Sequence, residues 1–258
     1  MIQITSAQLN ALLAAFAFPM ARILALVSTA PIFGNRGVPR RTRLLVGLAI
    51  GIVVAPLAGP IPDVSPSSYE GLAVLLQQII IGTAMGMAMR VAFAAVDTAG
   101  EVIGLQMGLG FATFFDPQRG NNAPVVAQLL GLLAILFFLA LNGHLLMIST
   151  LAESFTTLPV GADLFGPRAA YNIVTWGGQM FAAGFTLALP VVAALLITNL
   201  ALGVLTRAAP QLNIFAVGFP ITLLLGFFML ALVLPHLTGP MEKLLLSGVS
   251  AALDILRK

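Results

Sequence analysis

The chain has 258 residues, 59% of them hydrophobic and only 8% charged, with a mean hydropathy of +1.04, where an average soluble domain is about 25% charged. That balance places it among integral membrane proteins. The formal charge of +3 comes from only 12 Lys+Arg against 9 Asp+Glu, which does not suggest nucleic acid. The absence of cysteine excludes a disulfide framework, a thiolate metal site and a cysteine nucleophile.

Thr5 and Gln8 stand at capping-box spacing, so a helix is expected to start there. No cation precedes the apolar run that follows, and the run is too long for the core of a secretory signal, so this helix reads as part of the mature protein. The run extends from Leu9 to Phe33. Arg22 interrupts it near the middle, where a cation calls for a polar partner on another helix or subunit. Arg36, Arg40, Arg41 and Arg43 come next and mark this end as cytoplasmic. After a second run, Leu44 to Leu57, the acidic loop Pro60 to Glu70 falls on the opposite side. Carrying the alternation forward puts Arg90 and Arg207 on the cytoplasmic side too.

The third run, Leu72 to Leu109, and the fifth, Ile173 to Leu205, would each be roughly 50 Å or more as continuous helices, which overshoots one crossing of a bilayer. Gly82 and Gly86, then Gly100, Gly104 and Gly108, recur at four-residue intervals and predict a flat face on which other backbones lie closely. Met85, Met87 and Met89 sit beside that face and read as packing residues. Arg90, Asp97 and Glu101 fall within about 60 degrees of one another on a helix and form one polar stripe. Such a stripe is a proton or ion relay, or else a mutually compensating ion pair or a stripe facing a water-filled lumen or the cytoplasmic end.

Between the third run and the fourth, Val125 to Ile148, lies GLGFATFFDPQRGNNAP (Gly108 to Pro124). Three phenylalanines, three glycines and two prolines make a segment far too apolar for an ordinary connection exposed to water. His144 follows Asn142 late in the fourth run. His144 and His236 are far apart, with no carboxylate at ligand spacing, so no metal site is expected and each should make a structural hydrogen bond. The last apolar run, Leu212 to Leu237, and the fifth contain Pro190, Pro220 and Pro235, which favour kinks. An amphipathic tail, Met241 to Lys258, closes the chain. No HExxH, GxSxG, Walker or dinucleotide-binding glycine pattern occurs, so neither an enzyme nor a cofactor is indicated.

The stretches EVIGLQMGLGFATFFDPQ (Glu101 to Gln118), LNGHLLMISTLAESFTTLPVG (Leu141 to Gly161), NLALGVLTRAAPQLNIFAVGFP (Asn199 to Pro220) and PIFGNRGVPRRTR (Pro31 to Arg43) together resemble the FliR family, the R-type subunits of the flagellar type III protein export gate, with counterparts in virulence-associated secretion systems. The resemblance spans essentially the whole chain. It implies an all-α membrane fold of kinked helical hairpins packed with P-type and Q-type subunits into a hetero-oligomeric helical cone, through which unfolded export substrates pass. It also implies contact with the B-type switch protein and with lipid, and a place in the bacterial inner membrane within the flagellar basal body, partly on the periplasmic side. Residues 1–172 would then be a P-like region and residues 173–258 a Q-like hairpin with an amphipathic C-terminal helix, the hairpin turning at Arg207 and Pro210.

In the family, the loop after the third run plugs the channel. Here that loop is 108–122, with Gly108, Leu109, Gly110, Phe111, Ala112, Thr113, Phe114, Phe115, Asp116, Pro117, Gln118, Arg119 and Gly120 as the plug residues. The physical fit is good, because phenylalanine rings fill a narrow lumen with rigid apolar volume while glycines let the backbone swing aside. The alternative reading is a stand-alone secondary transporter using the stripe of Arg90, Asp97 and Glu101.

Overall fold

The computed structural model describes residues 5–35, 37–110, 124–161, 167–211 and 214–256. Among them are eight α-helices and no strand: α1 (Ser6–Thr29), α2 (Arg40–Val54), α3 (Tyr69–Gln106), α4 (Val125–Ala140), α5 (Gly143–Thr157), α6 (Pro167–Ala208), α7 (Ile214–Val233) and α8 (Thr238–Asp254). Helix α1 opens on the expected capping box: the Gln8 backbone N–H donates to Thr5 Oγ1 at 3.3 Å, and the Thr5 N–H donates to Gln8 Oε1 at 3.1 Å.

The third and fifth runs are continuous, at 38 and 42 residues, or about 57 and 63 Å of helix at 1.5 Å per residue. Pro190 and Pro220 sit inside α6 and α7, which run on through them. Pro235 opens a short 3-10 turn, Leu234–Leu237, between α7 and α8. The fourth run differs from expectation. It is broken at Asn142, which takes φ 56 and ψ 26, and α4 and α5 are bent by 68° across the break. The carbonyl of Asn142 then accepts from Leu145 and Leu146, starting α5 in a new direction, and asparagine is one of the few non-glycine residues that tolerate this left-handed geometry.

Four helical segments among the described residues are long and apolar enough to cross a membrane, or five if the bent pair counts as one. The chain forms two compact units, neither contiguous in sequence: Met1–Ala92, Asn142–Gly177 and Leu245–Lys258 make the first, Phe93–Leu141 and Gly178–Leu244 the second. Helices α3, α6 and α8 each contribute to both.

In the first unit the flat glycine face works as expected. Gly82 lies against the backbone carbonyl of Arg22, and Gly86 against Thr29, so closely that neither position has room for a β-carbon. The core between α1, α3 and α5 is apolar, with Phe18, Ile23, Leu26, Ile81, Met85, Met89, Leu151 and Phe155 buried. Arg22 is in the middle of it, 0% exposed. Its Nε donates to Gln78 Oε1 at 2.8 Å, Nη1 to the Ser154 carbonyl at 2.9 Å, and Nη2 to the Leu158 carbonyl at 2.8 Å. The guanidinium also lies 4.3 Å from the centre of the Phe155 ring. The polar partners demanded by a mid-helix arginine are thus all within the chain, on α3 and at the end of α5. The Ser154 carbonyl also accepts from the Leu158 N–H at 3.0 Å, and both carbonyls stand at the negative dipole end of α5, which compensates a cation without a carboxylate.

In the second unit Phe93 and Phe138 meet edge to face at 5.5 Å. Gly184 of α6 sits against the Ala95 carbonyl and Thr98, with Leu187, Val191 and Leu195 buried along the same stripe. Only that narrow stripe is covered. In the most apolar windows of α6 and of α7 with α8, 28% and 22% of residues are buried, against 56% in α3. Leu189, Ile197, Leu200, Leu224 and Phe228 stay exposed, and such faces are stable only against lipid or other chains.

Candidate functional site

The site begins where α3 ends. The Gly108 N–H donates to the Leu105 carbonyl and the Leu109 N–H to the Gly104 carbonyl, both at 3.0 Å, and Gly108 has φ 81. These two bonds and the left-handed glycine make a Schellman motif. Gly108 therefore does not extend the glycine face, as the four-residue spacing suggested; it stops the helix. An L-residue there would press its β-carbon against the next carbonyl, and glycine has none.

The other end of the segment starts α4. Pro124 is its N-cap residue, with φ −49 and ψ 140, and its carbonyl accepts from the Gln128 N–H at 3.0 Å. Gly104 lies close to Pro124, so that a β-carbon there would be 3.5 Å from Pro124 Cβ, and Gly100 lies against the Ala127 backbone with no room for a side chain. The glycines of α3 thus seat the start of α4 against the last turns of α3. The close approach of Gly104 to Pro124 forms a clasp between the last turns of α3 and the foot of α4. Of the plug residues, Gly108, Leu109 and Gly110 are described and partly buried at the clasp. Phe111, Ala112, Thr113, Phe114, Phe115, Asp116, Pro117, Gln118, Arg119 and Gly120 lie outside the described residues.

Arg90, Asp97 and Glu101 all belong to α3, and all are exposed. The spacing places them on one side of the helix, but they are not buried charges. Asp97 Oδ1 lies over α4, where a β-carbon at Gly131 would approach it to 2.8 Å. At the hairpin turn, α6 ends with Arg207 in its last turn, where a cation complements the carbonyl end of the helix. Arg207, Pro210 and Gln211 are exposed. The His236 Nδ1 lies 3.2 Å from the Leu232 carbonyl, whereas the buried His144 Nδ1 has no partner among the described residues, contrary to expectation.

Some contributors were not singled out in the sequence. Arg43, named above only within the basic cluster, is also a strut: its Nε donates to the Phe33 carbonyl at 3.0 Å and its Nη2 to the Asn35 carbonyl at 3.1 Å, tying the loop before α2. Trp176 donates from Nε1 to the Ala88 carbonyl at 2.7 Å. Gly218, Thr222 and Gly226 are the buried line of α7. Their four-residue spacing is the same signal that marked α3, and it was there to be read.

Continuous apolar helices of membrane length around an all-helical core, among the described residues, define an integral membrane protein. Residues 13–248 match the family described as bacterial export proteins, family 1. The chain is 49% identical over 241 residues to the flagellar biosynthetic protein FliR of Pectobacterium carotovorum subsp. carotovorum, covering 93% of this chain and 92% of that one. It is 45% identical over 256 residues to FliR of Escherichia coli (strain K12), covering 99% and 98%, and 33% identical over 219 residues to FliR of Bacillus subtilis (strain 168), covering 84% of each. The chain belongs to the FliR family of bacterial export proteins.

Proposed function

We propose that the chain is a core, non-enzymatic subunit of the flagellar type III export gate, and that the loop from Gly108 plugs the conduit for unfolded export substrates. It assembles with P-type and Q-type subunits and with the B-type switch protein, in the bacterial inner membrane at the flagellar basal body, partly on its periplasmic side. Residues 1–172 supply the P-like part with the loop, and residues 173–258 the Q-like hairpin. The flagellar names of its relatives favour this system over a virulence apparatus.

The observation that carries the plug role is the clasp. Gly100 and Gly104 seat the start of α4 against the last turns of α3, so the unusually apolar segment leaves α3 and enters α4 from neighbouring turns, which supports reading it as a loop that enters a lumen. The exposed apolar faces of α6 and α7 supply the surfaces that neighbouring subunits would cover. The stripe of Arg90, Asp97 and Glu101 then serves as a solvated or subunit-facing strip and not as a relay. Purifying the tagged chain in mild detergent tests the assembly: co-purification of P-type and Q-type subunits is expected, and recovery of the chain alone, with transport activity of its own, would contradict it.

A further inference from the structure

The first unit carries an apolar groove of about 400 Å³ along one side of α3. Its walls include Ile79, Thr83, Met87 and Val91 of α3, Trp176 of α6 and Ile255 just beyond α8. From Ile79 to Val91 the α3 wall is about 18 Å long at 1.5 Å per residue, a little more than one leaflet of a hydrocarbon core about 30 Å thick. Trp176 spends its one polar atom outside the groove: Nε1 donates to the Ala88 carbonyl at 2.7 Å, so the ring meets the groove as an apolar wall. Ile79 and Met87 are exposed along it, and such a face calls for cover by lipid or by another chain.

A charge at one end of the groove selects lipid. Arg90 stands at the Val91 end, seven residues after Thr83 and thus within about 20 degrees of it around the helix. It is exposed, and among the described residues it has no hydrogen-bond or ion-pair partner. Asp254, the only acid next to a lining residue in sequence, makes an interaction of its own. A free cation at the end of a leaflet-long apolar groove matches both parts of an anionic phospholipid, the chain by the walls and the phosphate by the guanidinium. A helix of another subunit would cover the walls but would leave the charge without a role.

We propose that this groove binds one acyl chain of an anionic phospholipid, whose phosphate oxygens accept hydrogen bonds from the Arg90 guanidinium. The chain lies along α3 past Trp176, and the headgroup sits at the Val91 end. The walls retain the lipid and Arg90 selects its charge. Of the charged strip on α3, Arg90 is then assigned to a headgroup. The site depends on the membrane character of the chain and not on reading the loop from Gly108 as a plug.

Trp176 is the single tryptophan of the chain, so its fluorescence reports on the groove. The full complex is reconstituted into phosphatidylcholine vesicles containing a rising fraction of lipid with brominated chains, either phosphatidylglycerol or phosphatidylcholine. Subtracting the signal of a Trp176→Phe complex removes the tryptophans of other subunits. Brominated phosphatidylglycerol is expected to quench Trp176 half-maximally at about one fifth of the fraction that phosphatidylcholine needs, the preference one arginine gives at a membrane surface. Arg90→Gln, at an exposed position, should abolish that difference while quenching continues. Gly177→Leu, at a lining position where a β-carbon meets nothing within 4 Å, should fill the groove and protect Trp176 from both lipids. Equal quenching by the two lipids in the unmodified complex overturns the proposal, and so does quenching by neither, which would show another subunit in the groove. A preference that survives Arg90→Gln, or quenching that survives Gly177→Leu, places the lipid elsewhere and overturns it too. The comparison of lipids on the unmodified complex decides even if Gly177→Leu fails to assemble.

Discussion

The guanidinium of Arg22 donates to the Leu158 carbonyl at 2.8 Å, in the interior of the first unit. A residue in the middle of α1 thereby caps the C-terminal end of α5, with Gln78 of α3 as third partner. Replacing Arg22 with methionine keeps much of the volume but leaves buried acceptors without donors, at about 1–3 kcal/mol for each. Arg22→Met should therefore lower the thermal unfolding midpoint in detergent by several degrees. Arg22→Lys should fall between, because an ammonium keeps the charge but does not span three separate acceptors. A methionine variant as stable as wild type would show that the network contributes nothing.

The glycines separate into tight and open positions. Gly82→Ala drives a β-carbon into the Arg22 carbonyl, where only backbone movement makes room. We expect a loss of roughly 1–3 kcal/mol, at the upper end because backbone must give. At Gly203 nothing lies within 4 Å, so alanine should be neutral or stabilise α6 by up to about 1 kcal/mol in the isolated chain. Chemical denaturation of the two variants in the same detergent checks the contrast. Should Gly203→Ala fold normally yet fail to assemble, a partner helix lies against that turn.

Gly108→Ala keeps the sequence of the loop but forces an L-residue to φ 81, at about 1–2 kcal/mol. Asparagine should cost less, since it visits this region more readily. Hydrogen exchange at the Leu109 amide, which closes the motif onto Gly104, should accelerate in the alanine variant and less in the asparagine variant. Equal exchange in all three chains would remove the motif from the description of the loop root.

Much of the fold was legible in the sequence because a membrane chain announces its helices by apolar length. The bounds of α3 and α6 follow the long runs, and the capping box of α1 follows from Thr5 and Gln8. The break at Asn142 was hidden, since Leu141 and the leucines after it keep the run apolar, and periodicity does not register a single left-handed residue. Gly108 was misread for a related reason: helix-face glycines and helix-stopping glycines look identical until the chain beyond them is known to turn. Arg22 was recognised as needing partners, but which ones depended on where α5 ends. For the candidate site, composition marked the loop from Gly108 as anomalous, whereas the approach of Gly104 to Pro124 is a tertiary fact that no local pattern contains.

The most direct test of the loop as a plug is the ion conductance of membranes carrying the assembled complex with Gly110 to Gly120 deleted. With subunit composition unchanged, the deletion should leak ions and small molecules that the intact complex retains. An assembled deletion complex as tight as the intact one would contradict the plug role, and the barrier would then lie elsewhere in the gate.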